Sequence, residues 1–286
     1  MKEYVTIRGV KMTEPFKLEK ESYLSIKPWE NENSALTVGF STKNGGFSQG
    51  YFSSLNLGLH VNDSDEDVKK NKEALSTQLQ WETKEWVACE QIHSNNIVKV
   101  HAQHKGSGLI NYSSSIKGTD GIYTKEKNIL LTLCYADCVP IYFWSEPDEM
   151  IGVAHAGWKG TVGEIGKKMI EAWLKEGIKI ENIKVAIGPA ISSCCYVVND
   201  YVMDKVKQLI GDKPVDSIWS EIETGQYKLH LQRLNEALLL QVGIKKENII
   251  VSSYCTSCED DLFFSHRRDE GKTGRMLSFI GLKEEQ

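Results

Sequence analysis

The chain has 286 residues, of which 41% are hydrophobic and 26% are charged, and its formal net charge is −5. This composition is ordinary for a folded protein with its own hydrophobic core, and the negative charge argues against nucleic acids and anionic membranes as partners. The most apolar run, residues 129–134, is far too short to cross a bilayer. Because the first residues lack an apolar stretch of the signal-peptide type, we expect a cytoplasmic protein.

The chain shows no internal repeat and no linker rich in Pro, Gly or Ser, so we interpret residues 1–286 as one domain. In chain order, the apolar patterns predict strands at residues 35–40, within 87–100, and at 129–135, 139–144, 150–154, 183–187 and 249–253. They predict helices that begin at Ser64 and at Gly160, and two more over residues 200–210 and 231–242. A final hairpin should turn through residues 269–274. The mixture indicates an α/β or α+β class.

Several of these elements have a buried face that can be predicted. Residues 129–135 are apolar without a break, as expected of a strand that is buried on both sides. The helix after Ser64 should bury Val68, Leu75 and Leu79. The helix that opens at Gly160 should stop near Gly177 and bury Val162, Ile165, Met169 and Trp173.

The cysteines indicate a reducing compartment. There are seven of them, namely Cys89, Cys134, Cys138, Cys194, Cys195, Cys255 and Cys258. An odd number in a long chain is typical of free thiols and not of a disulfide framework. Cys255 and Cys258 have zinc-knuckle spacing, but a structural zinc site needs four ligands, and Cys194-Cys195 is too far along the chain to be placed beside them. We therefore expect reduced, mostly buried cysteines without a metal.

Three residues carry the strongest chemical signal, namely His93, Cys138 and His155, each at the edge of a strand-like apolar run. Taken singly, a cysteine there is usually a small core residue, and a histidine is usually structural. The context favours more: the segment from Asp137 to Pro140 ends a buried strand at a proline, and the glycines after His155 let a ligand approach closely. Two imidazoles and a thiolate suit zinc with one open position, or a cysteine nucleophile with a histidine base. The residues alone leave both alternatives open.

The motifs around these residues resemble those of the YfiH/YlmD family, also called the laccase-domain or multicopper polyphenol oxidase family. The matching segments are Gln91-Ile92-His93, Thr119-Asp120-Gly121, Ala136-Asp137-Cys138-Val139-Pro140, His155-Ala156-Gly157-Trp158-Lys159-Gly160, Gly188-Pro189-Ala190-Ile191 with Cys195-Tyr196, and Phe263-Phe264-Ser265-His266-Arg267-Arg268-Asp269. The resemblance runs from about Ser41 to the C-terminus, and together these motifs are highly specific. It implies a single-domain, YfiH-like layered sandwich of mixed sheets and helices.

The resemblance also implies an activity. Such proteins are described as zinc-dependent purine nucleoside phosphorylases, with adenosine, inosine, guanosine and also methylthioadenosine as candidate substrates, that deaminate adenosine as well. It places the metal on His93, Cys138 and His155, which are then also the catalytic residues, with zinc as the cofactor and copper as the alternative. The partners would be a purine nucleoside and phosphate, and a homodimer is left open.

Four further residues are predicted to bind substrate. The segment from Ser41 to Ser48 combines two glycines, a hydroxyl and Lys43, a set that suits phosphate, although an ordinary hairpin turn is an equal alternative. Lys43 stands where many members of the family carry Arg. Asn56 either holds the loop or touches substrate. Arg267 is the second cationic candidate, although a surface ion pair is the common outcome, and on a strand only one of Arg267 and Arg268 would face the site.

Three other functions compete with this interpretation. A multicopper oxidase needs about ten imidazoles, whereas the chain has seven histidines in all. A metal-free cysteine hydrolase or amidase acting on peptidoglycan precursors would use Cys138 as its nucleophile. A non-catalytic scaffold would use the same residues for a structural metal only. Asp137, beside the candidate ligand, is expected to support the site and not to act as a base.

Overall fold

Two six-stranded β-sheets pack face to face and carry helices on their outer sides. The computed structural model describes residues 4–7, 10–211 and 217–284. The arrangement confirms the predicted layered sandwich of mixed sheets and helices. None of the helices within these ranges is long and apolar enough to cross a membrane.

The strands of the described ranges are, in chain order, β1 (Tyr4–Ile7), β2 (Val10–Thr13), β3 (Phe16–Lys20), β4 (Tyr23–Ile26), β5 (Leu36–Ser41), β6 (Trp86–Val87), β7 (Ile97–Lys99), β8 (Gly121–Thr124), β9 (Ile129–Tyr135), β10 (Val139–Ser145), β11 (Met150–Ala156), β12 (Lys184–Ile187), β13 (Val197–Asn199), β14 (Trp219–Glu223), β15 (Gln226–Leu229), β16 (Ile249–Val251) and β17 (Met276–Leu282). The α-helices of the same ranges are α1 (Lys27–Glu32), α2 (Asp65–Leu79), α3 (Trp158–Val162), α4 (Ile165–Lys175), α5 (Asp200–Ile210) and α6 (Leu231–Val242).

The first sheet has the strand order β16-β12-β10-β11-β8-β7, and the second has the order β3-β4-β5-β17-β9-β6. Most pairs are antiparallel, but β12 runs parallel to β16, β7 runs parallel to β8, and β6 runs parallel to β9. Two small sheets, β1-β2 and β13-β15-β14, complete the described architecture.

The alternation of side chains along the strands fills three separate cores. Between the two sheets, Tyr142 and Trp144 of β10 meet Leu131 and Leu133 of β9. The opposite face of the first sheet packs on α4, α5 and α6, and the opposite face of the second sheet packs on α2. Both sheets are thus covered on both sides, which explains why β9 reads as an unbroken apolar run.

Most of the predicted elements are present within one or two residues. The side chain of Ser64 caps α2 by accepting the N–H of Asp67, and Val68, Leu75 and Leu79 are buried as predicted. The predicted helix from Gly160 is wrong in one respect: it is two helices, α3 and α4. Glu164 separates them with a left-handed backbone, at φ of 55°, which an uninterrupted helix does not contain.

The predicted hairpin around residues 269–274 is wrong. These residues form turns that lead into β17, which is a central strand between β5 and β9. The carboxylate of Asp269 holds the turns together, because it accepts the N–H of Ser265 at 3.3 Å and the hydroxyl of Thr273 at 3.0 Å. These side-chain hydrogen bonds replace the backbone pairing that a hairpin would have supplied.

One edge of the first sheet collects the chemically active segments. β10 begins there and β11 ends there, while β8 and β7 begin and β12 ends at the same edge. Every loop that enters or leaves the sheet at this edge can therefore contribute a side chain to a common cavity.

Candidate metal centre

Cys138 lies where the chain crosses from the second sheet to the first. Residues 136–138 are the whole connection between β9 and β10. Asp137 turns this short link with a left-handed backbone, at φ of 84°. His155 lies on β11, where its paired neighbour across the ladder is Pro140 of β10. The antiparallel register of β10 and β11 therefore brings the thiol and this imidazole to the same edge.

His93 comes from the loop between β6 and β7, and its own backbone is left-handed, at φ of 59°. The carboxylate of Asp120 holds this loop by accepting the N–H of His93 at 3.0 Å and that of Ser94 at 2.7 Å. Asp120 directly precedes β8, and its carbonyl accepts the N–H of His155 at 2.7 Å. One buried residue thus connects the loop of His93 with the strand of His155.

The three side chains converge closely enough to share one metal ion. The potential ligand atoms of His93, Cys138 and His155 all lie within 4.8 Å of one another. Nδ1 of His155 lies 2.9 Å from Oδ1 of Asp120, which leaves Nε2 as the nitrogen free to bind a metal. A carboxylate behind a histidine ligand is the usual way in which proteins orient such ligands. The donor set therefore fits a zinc-type ion with an open position.

Gly157 supplies the room for this arrangement. A Cβ atom at that position would lie 2.9 Å from Sγ of Cys138 and 3.1 Å from Cδ2 of His93. Its backbone, at φ of −63°, is one that any residue adopts. The requirement for glycine here is therefore steric, and it arises from the thiol and the imidazole themselves.

The charges at the centre favour a thiolate. Burial by itself would raise the pKa of Cys138, but the positive charge of His155 and hydrogen bonds from both histidines lower this pKa to about 6. Burial would likewise lower the pKa of His155, yet the Cys138 thiolate and the Asp120 carboxylate raise it to about 9. The thiolate is the form that both a metal ion and a nucleophilic mechanism require, and metal binding would release the proton of His155.

The three side chains face a cavity of about 490 Å³, which we call the central cavity. This volume lies in the range that proteins use for small-molecule ligands. Aromatic side chains of Trp158 and Tyr196 line it, and so do the cations Lys159, Arg267 and Arg275. His93 is exposed whereas His155 is buried, so the metal centre opens on its His93 side.

The cations of the central cavity, Lys159, Arg267 and Arg275, make no direct ion pair with a carboxylate in the described part of the chain. The guanidinium of Arg267 lies over the ring of Tyr196, 4.9 Å from its centre. Arg275 uses Nη1 to donate to two backbone carbonyls, at 2.9 Å and 3.0 Å. The cavity therefore presents positive charge that can bind an anion.

Asp137 is the only acidic side chain among the described residues that line the cavity, and both of its oxygens are occupied. Oδ1 accepts the hydroxyl of Thr256 at 2.7 Å, and Oδ2 accepts the backbone N–H of Arg267 at 2.7 Å. This agrees with the expectation that Asp137 supports the site. Its carboxylate fixes the backbone from which the Arg267 side chain extends.

Lys43 does not line the central cavity. It lies at a second cavity together with Arg268, Asp269 and Lys272. The neighbouring glycine motif serves loop packing, because a Cβ atom on Gly46 would come within 2.2 Å of a backbone carbonyl oxygen. The prediction that Lys43 binds the phosphate of the reaction therefore finds no support in its position.

Ser48 and Asn56 are fully buried and do not line the central cavity. Both donate to the same carboxylate oxygen of Asp63, at 2.6 Å and 2.9 Å respectively. Oδ1 of Asn56 also accepts the backbone N–H of Arg275 at 2.9 Å. Of the two roles predicted for Asn56, the geometry supports holding the loop, and Asn56 also fixes the segment that carries Arg275, a cation of the cavity.

Arg267 and Arg268 point to different places even though they do not lie on a strand. Arg267 lines the central cavity, whereas Arg268 lines the second cavity and pairs with Asp269 at 2.8 Å. The turn at residues 266–271 separates the two side chains in the way that was expected of strand geometry.

Sequence reasoning assigned no role to Asp120, Lys159, Arg275 or Tyr196. Asp120, Lys159 and Tyr196 stand inside the motifs that carry the family resemblance, and this was the available signal for their roles. Arg275 carried no signal, because its place depends on the pairing of β17 between two distant strands.

The cysteine expectation needs a correction. All seven cysteines are free thiols, but they are not mostly buried: two of the seven, Cys89 and Cys255, are buried, whereas Cys194 and Cys258 are exposed. Cys194 and Cys195 also lie beside Cys255 and Cys258, with all four sulfurs within 4.8 Å of one another.

Comparison with known proteins agrees on one family. A family model described as multi-copper polyphenol oxidoreductase laccase matches residues 37–283. The chain is 48% identical over 276 residues to a protein of Bacillus subtilis (strain 168) named purine nucleoside phosphorylase YlmD, covering 94% of this chain and 98% of that protein. The crystal structure of YlmD from Geobacillus stearothermophilus matches with a TM-score of 0.91 and 44% identity, over 95% of this chain and 100% of the other. The crystal structure of the Bacillus licheniformis hypothetical protein YfiH matches with a TM-score of 0.89 and 46% identity, over 94% and 99%.

Proposed function

The chain belongs to the multi-copper polyphenol oxidoreductase laccase family, and on that premise we propose that it is a zinc-dependent purine nucleoside phosphorylase that also deaminates adenosine. The phosphorylase name of its relatives supports an enzyme of this type. The observation that carries the proposal is the convergence of His93, Cys138 and His155, which could hold a metal ion, on a cavity that is also lined by three cations. Adenosine, inosine, guanosine and methylthioadenosine are the candidate substrates.

His93, Cys138 and His155 would hold the metal ion. Zinc bound there would supply Lewis-acid polarisation of an oxygen atom placed at its open position. Asp120 keeps Nε2 of His155 directed to the ion by accepting a hydrogen bond from Nδ1. The exposed side of His93 leaves the approach from the central cavity free.

For phosphorolysis, an oxygen of phosphate attacks C1′ of the ribose. A C1′–O bond forms as the C1′–N9 bond breaks, and the base leaves with the bonding electrons and is protonated on nitrogen. Arg267, Arg275 and Lys159 would hold the phosphate, since charge-assisted hydrogen bonds to phosphate are the strong ones. The ring of Tyr196 and that of Trp158 offer faces on which the flat purine can stack.

For deamination, water attacks C6 of the purine and ammonia leaves. C1′ and C6 lie on different sides of the base, so the two reactions need two orientations of the nucleoside in the cavity. Deamination needs no bound anion, and this difference makes the roles of the cations testable.

The test is a kinetic comparison of two reactions in the same variants. Arg267→Gln should raise the KM for phosphate by about tenfold or more, because a hydrogen bond between charged groups contributes about 1.5–3 kcal/mol. Adenosine deamination by the same variant should keep its kcat. Lys272→Gln, which removes a cation from the second cavity, is the matched control and should leave both reactions unchanged. Lys43→Ala decides between the two cavities, because a raised KM for phosphate in this variant would restore the sequence-based prediction.

A second candidate has one observation in its favour. Cys138, His155 and Asp120 are placed as a nucleophile, a base and a residue that orients the base, which is the arrangement of a cysteine hydrolase or amidase. Metal analysis separates the two functions. Loss of all turnover on chelation and its return with zinc support the phosphorylase, whereas full activity without metal supports the hydrolase.

A further inference from the structure

Four cysteines from two distant parts of the chain meet beside the first sheet, and we call them the cysteine cluster: Cys194, Cys195, Cys255 and Cys258. Their meeting follows from the strand order. β12 and β16 are parallel neighbours, so the segments that follow them leave the sheet at the same edge. An isolated parallel bridge between Ala190 and Cys255 continues the pairing beyond the two strands. The thiols of both segments are thereby brought together by backbone hydrogen bonding.

The sulfur positions suit a single metal ion. Sγ of Cys194 lies 3.3 Å from that of Cys258 and 3.5 Å from that of Cys255, and the sulfurs of Cys195 and Cys258 are 3.4 Å apart. A disulfide has a sulfur–sulfur distance of about 2.0 Å, so the four thiols are not paired. Zinc with four thiolates at about 2.3 Å places the sulfurs about 3.8 Å apart in a tetrahedron, which needs only a small outward movement here.

The surrounding backbone is already arranged as in a metal-binding turn. The N–H of Ser192 donates to Sγ of Cys255 at 3.4 Å, and the N–H groups of Cys258 and Glu259 both donate to the Cys255 carbonyl, at 3.1 Å and 3.0 Å. The guanidinium of Arg268 donates to the carbonyl of Thr256 at 3.1 Å. A cation bound to this turn would offset part of the negative charge of four thiolates.

The exposure of the cluster also favours a bound ion. Cys255 is buried, but Cys194 and Cys258 are exposed at the surface. Exposed free thiols are vulnerable to oxidation and exchange, and metal coordination removes that reactivity. We propose that the cysteine cluster is a second metal site, a structural zinc with four thiolate ligands and no open position, separate from the centre at His93, Cys138 and His155.

The site would fasten one wall of the central cavity. Cys195 directly precedes Tyr196, whose ring supports Arg267. Thr256, between two of the cysteines, donates its hydroxyl to Asp137 beside Cys138. Closing the cluster around an ion therefore fixes both the aromatic wall and the link that carries the candidate thiolate.

The first experiment counts metal ions in protein purified without chelators. We expect two zinc ions per wild-type chain. Cys258→Ser should lose one of them, and Cys138→Ser should lose the other. Cys89→Ser, at a buried cysteine outside both groups, should keep two. If Cys138→Ser instead leaves the count unchanged while Cys258→Ser removes an ion, the proposed function fails and the cluster proposal stands. An unchanged count in Cys258→Ser overturns the cluster proposal.

The second experiment uses only the wild-type protein, so it does not depend on a variant that folds. In the native protein, the four thiols of the cluster should react slowly with a thiol reagent. After treatment with a zinc chelator, the same thiols should react rapidly. Cobalt substitution should add the intense sulfur-to-cobalt absorption of a tetrahedral thiolate site, and this absorption should persist in Cys138→Ser. Fast reaction before chelation, or a disulfide within the cluster found by mass spectrometry, contradicts the proposal. Iron in place of zinc also contradicts it.

Discussion

Replacement of Asp120 by asparagine removes one charge and one acceptor from the point on which both histidine ligands depend. Oδ1 accepts the N–H of His93 at 3.0 Å and lies 2.9 Å from Nδ1 of His155. Oδ2 accepts the N–H and the hydroxyl of Ser94, both at 2.7 Å, and more weakly the N–H of Ile92 at 3.3 Å. The carboxylate is fully buried, so water cannot replace a lost acceptor.

Neither orientation of the asparagine amide avoids a conflict. With its NH2 at the Oδ1 position, the amide opposes the N–H of His93 and favours the His155 tautomer whose proton sits on Nε2, the nitrogen needed for the metal. With its NH2 at the Oδ2 position, the amide opposes the N–H of Ser94. Leaving a buried donor unsatisfied costs about 1–3 kcal/mol. Loss of the residue that orients a ligand typically reduces metal affinity about 10- to 100-fold.

We therefore predict that Asp120→Asn binds zinc about 10- to 100-fold more weakly, which corresponds to about 1.4–2.7 kcal/mol. Competition with a chromophoric chelator measures the dissociation constant, and calorimetry on metal-free protein measures the effect on folding separately. The matched control is Asp148→Asn, in the turn at the opposite end of the β10–β11 hairpin, where the carboxylate accepts only from Ser145 at 2.6 Å and Asn182 at 3.1 Å. A folded Asp120→Asn protein with wild-type zinc affinity would refute the reasoning.

Three further predictions follow from other features. Gly157→Ala should weaken zinc binding while changing the unfolding temperature of metal-free protein little, because its Cβ would press on Cys138 and His93 at 2.9 Å and 3.1 Å. Chelator competition measures the zinc affinity. Equal losses of zinc affinity and of metal-free stability would contradict the prediction. Burial lowers the pKa of Lys72 to about 8, below the value of about 10.4 in an unfolded chain. As the pH rises, the folded state therefore loses this proton before the unfolded state does. The free energy of unfolding should rise by about 2 kcal/mol from this group between pH 7 and pH 9.5. Chemical denaturation across this range should show the rise in the wild type relative to Lys72→Met, and a difference between the two that does not change with pH would refute it. Copper-loaded protein should show no intense blue thiolate band and little oxygen reduction, because two of the seven histidines lie at the candidate metal centre and only five remain for any copper cluster. Rapid phenol oxidation with several coppers per chain would overturn this.

The sequence was sufficient for most of the longer elements and for the three residues of the candidate metal centre, because both depend on local pattern, but it missed the central strand β17. Cys138 and His155 could be predicted from the strand ends beside them. Asp120 could not be assigned its role, since its contacts with His93 and His155 depend on which strands pair. The cysteine cluster was missed for the same reason: only the parallel pairing of β12 with β16 brings its two halves together.

The position of Lys43 outside the central cavity could not be predicted from the sequence for a different physical reason. A glycine pair beside a cation can bind an anion, but it can also let two backbone segments approach closely. The same sequence motif is found in both cases. At Gly46 the second requirement applies, because a backbone carbonyl occupies the space that a Cβ would need. Only the position of the opposing segment distinguishes the two.

Because of the three-residue link at 136–138, the candidate metal centre can form only after the two sheets have packed together. β9 belongs to one sheet and β10 to the other, so Cys138 reaches its place only when the two sheets have docked. His93 is separated from that link by β7, β8 and β9, and His155 lies on the second strand of the hairpin that follows it, so the three candidate ligands meet through contacts that are distant in sequence. Such contacts form late in folding. If the candidate centre binds zinc as proposed, a chain that has taken up the ion is one whose sandwich is already complete, and the rate of zinc uptake during refolding should match the slowest step of tertiary assembly.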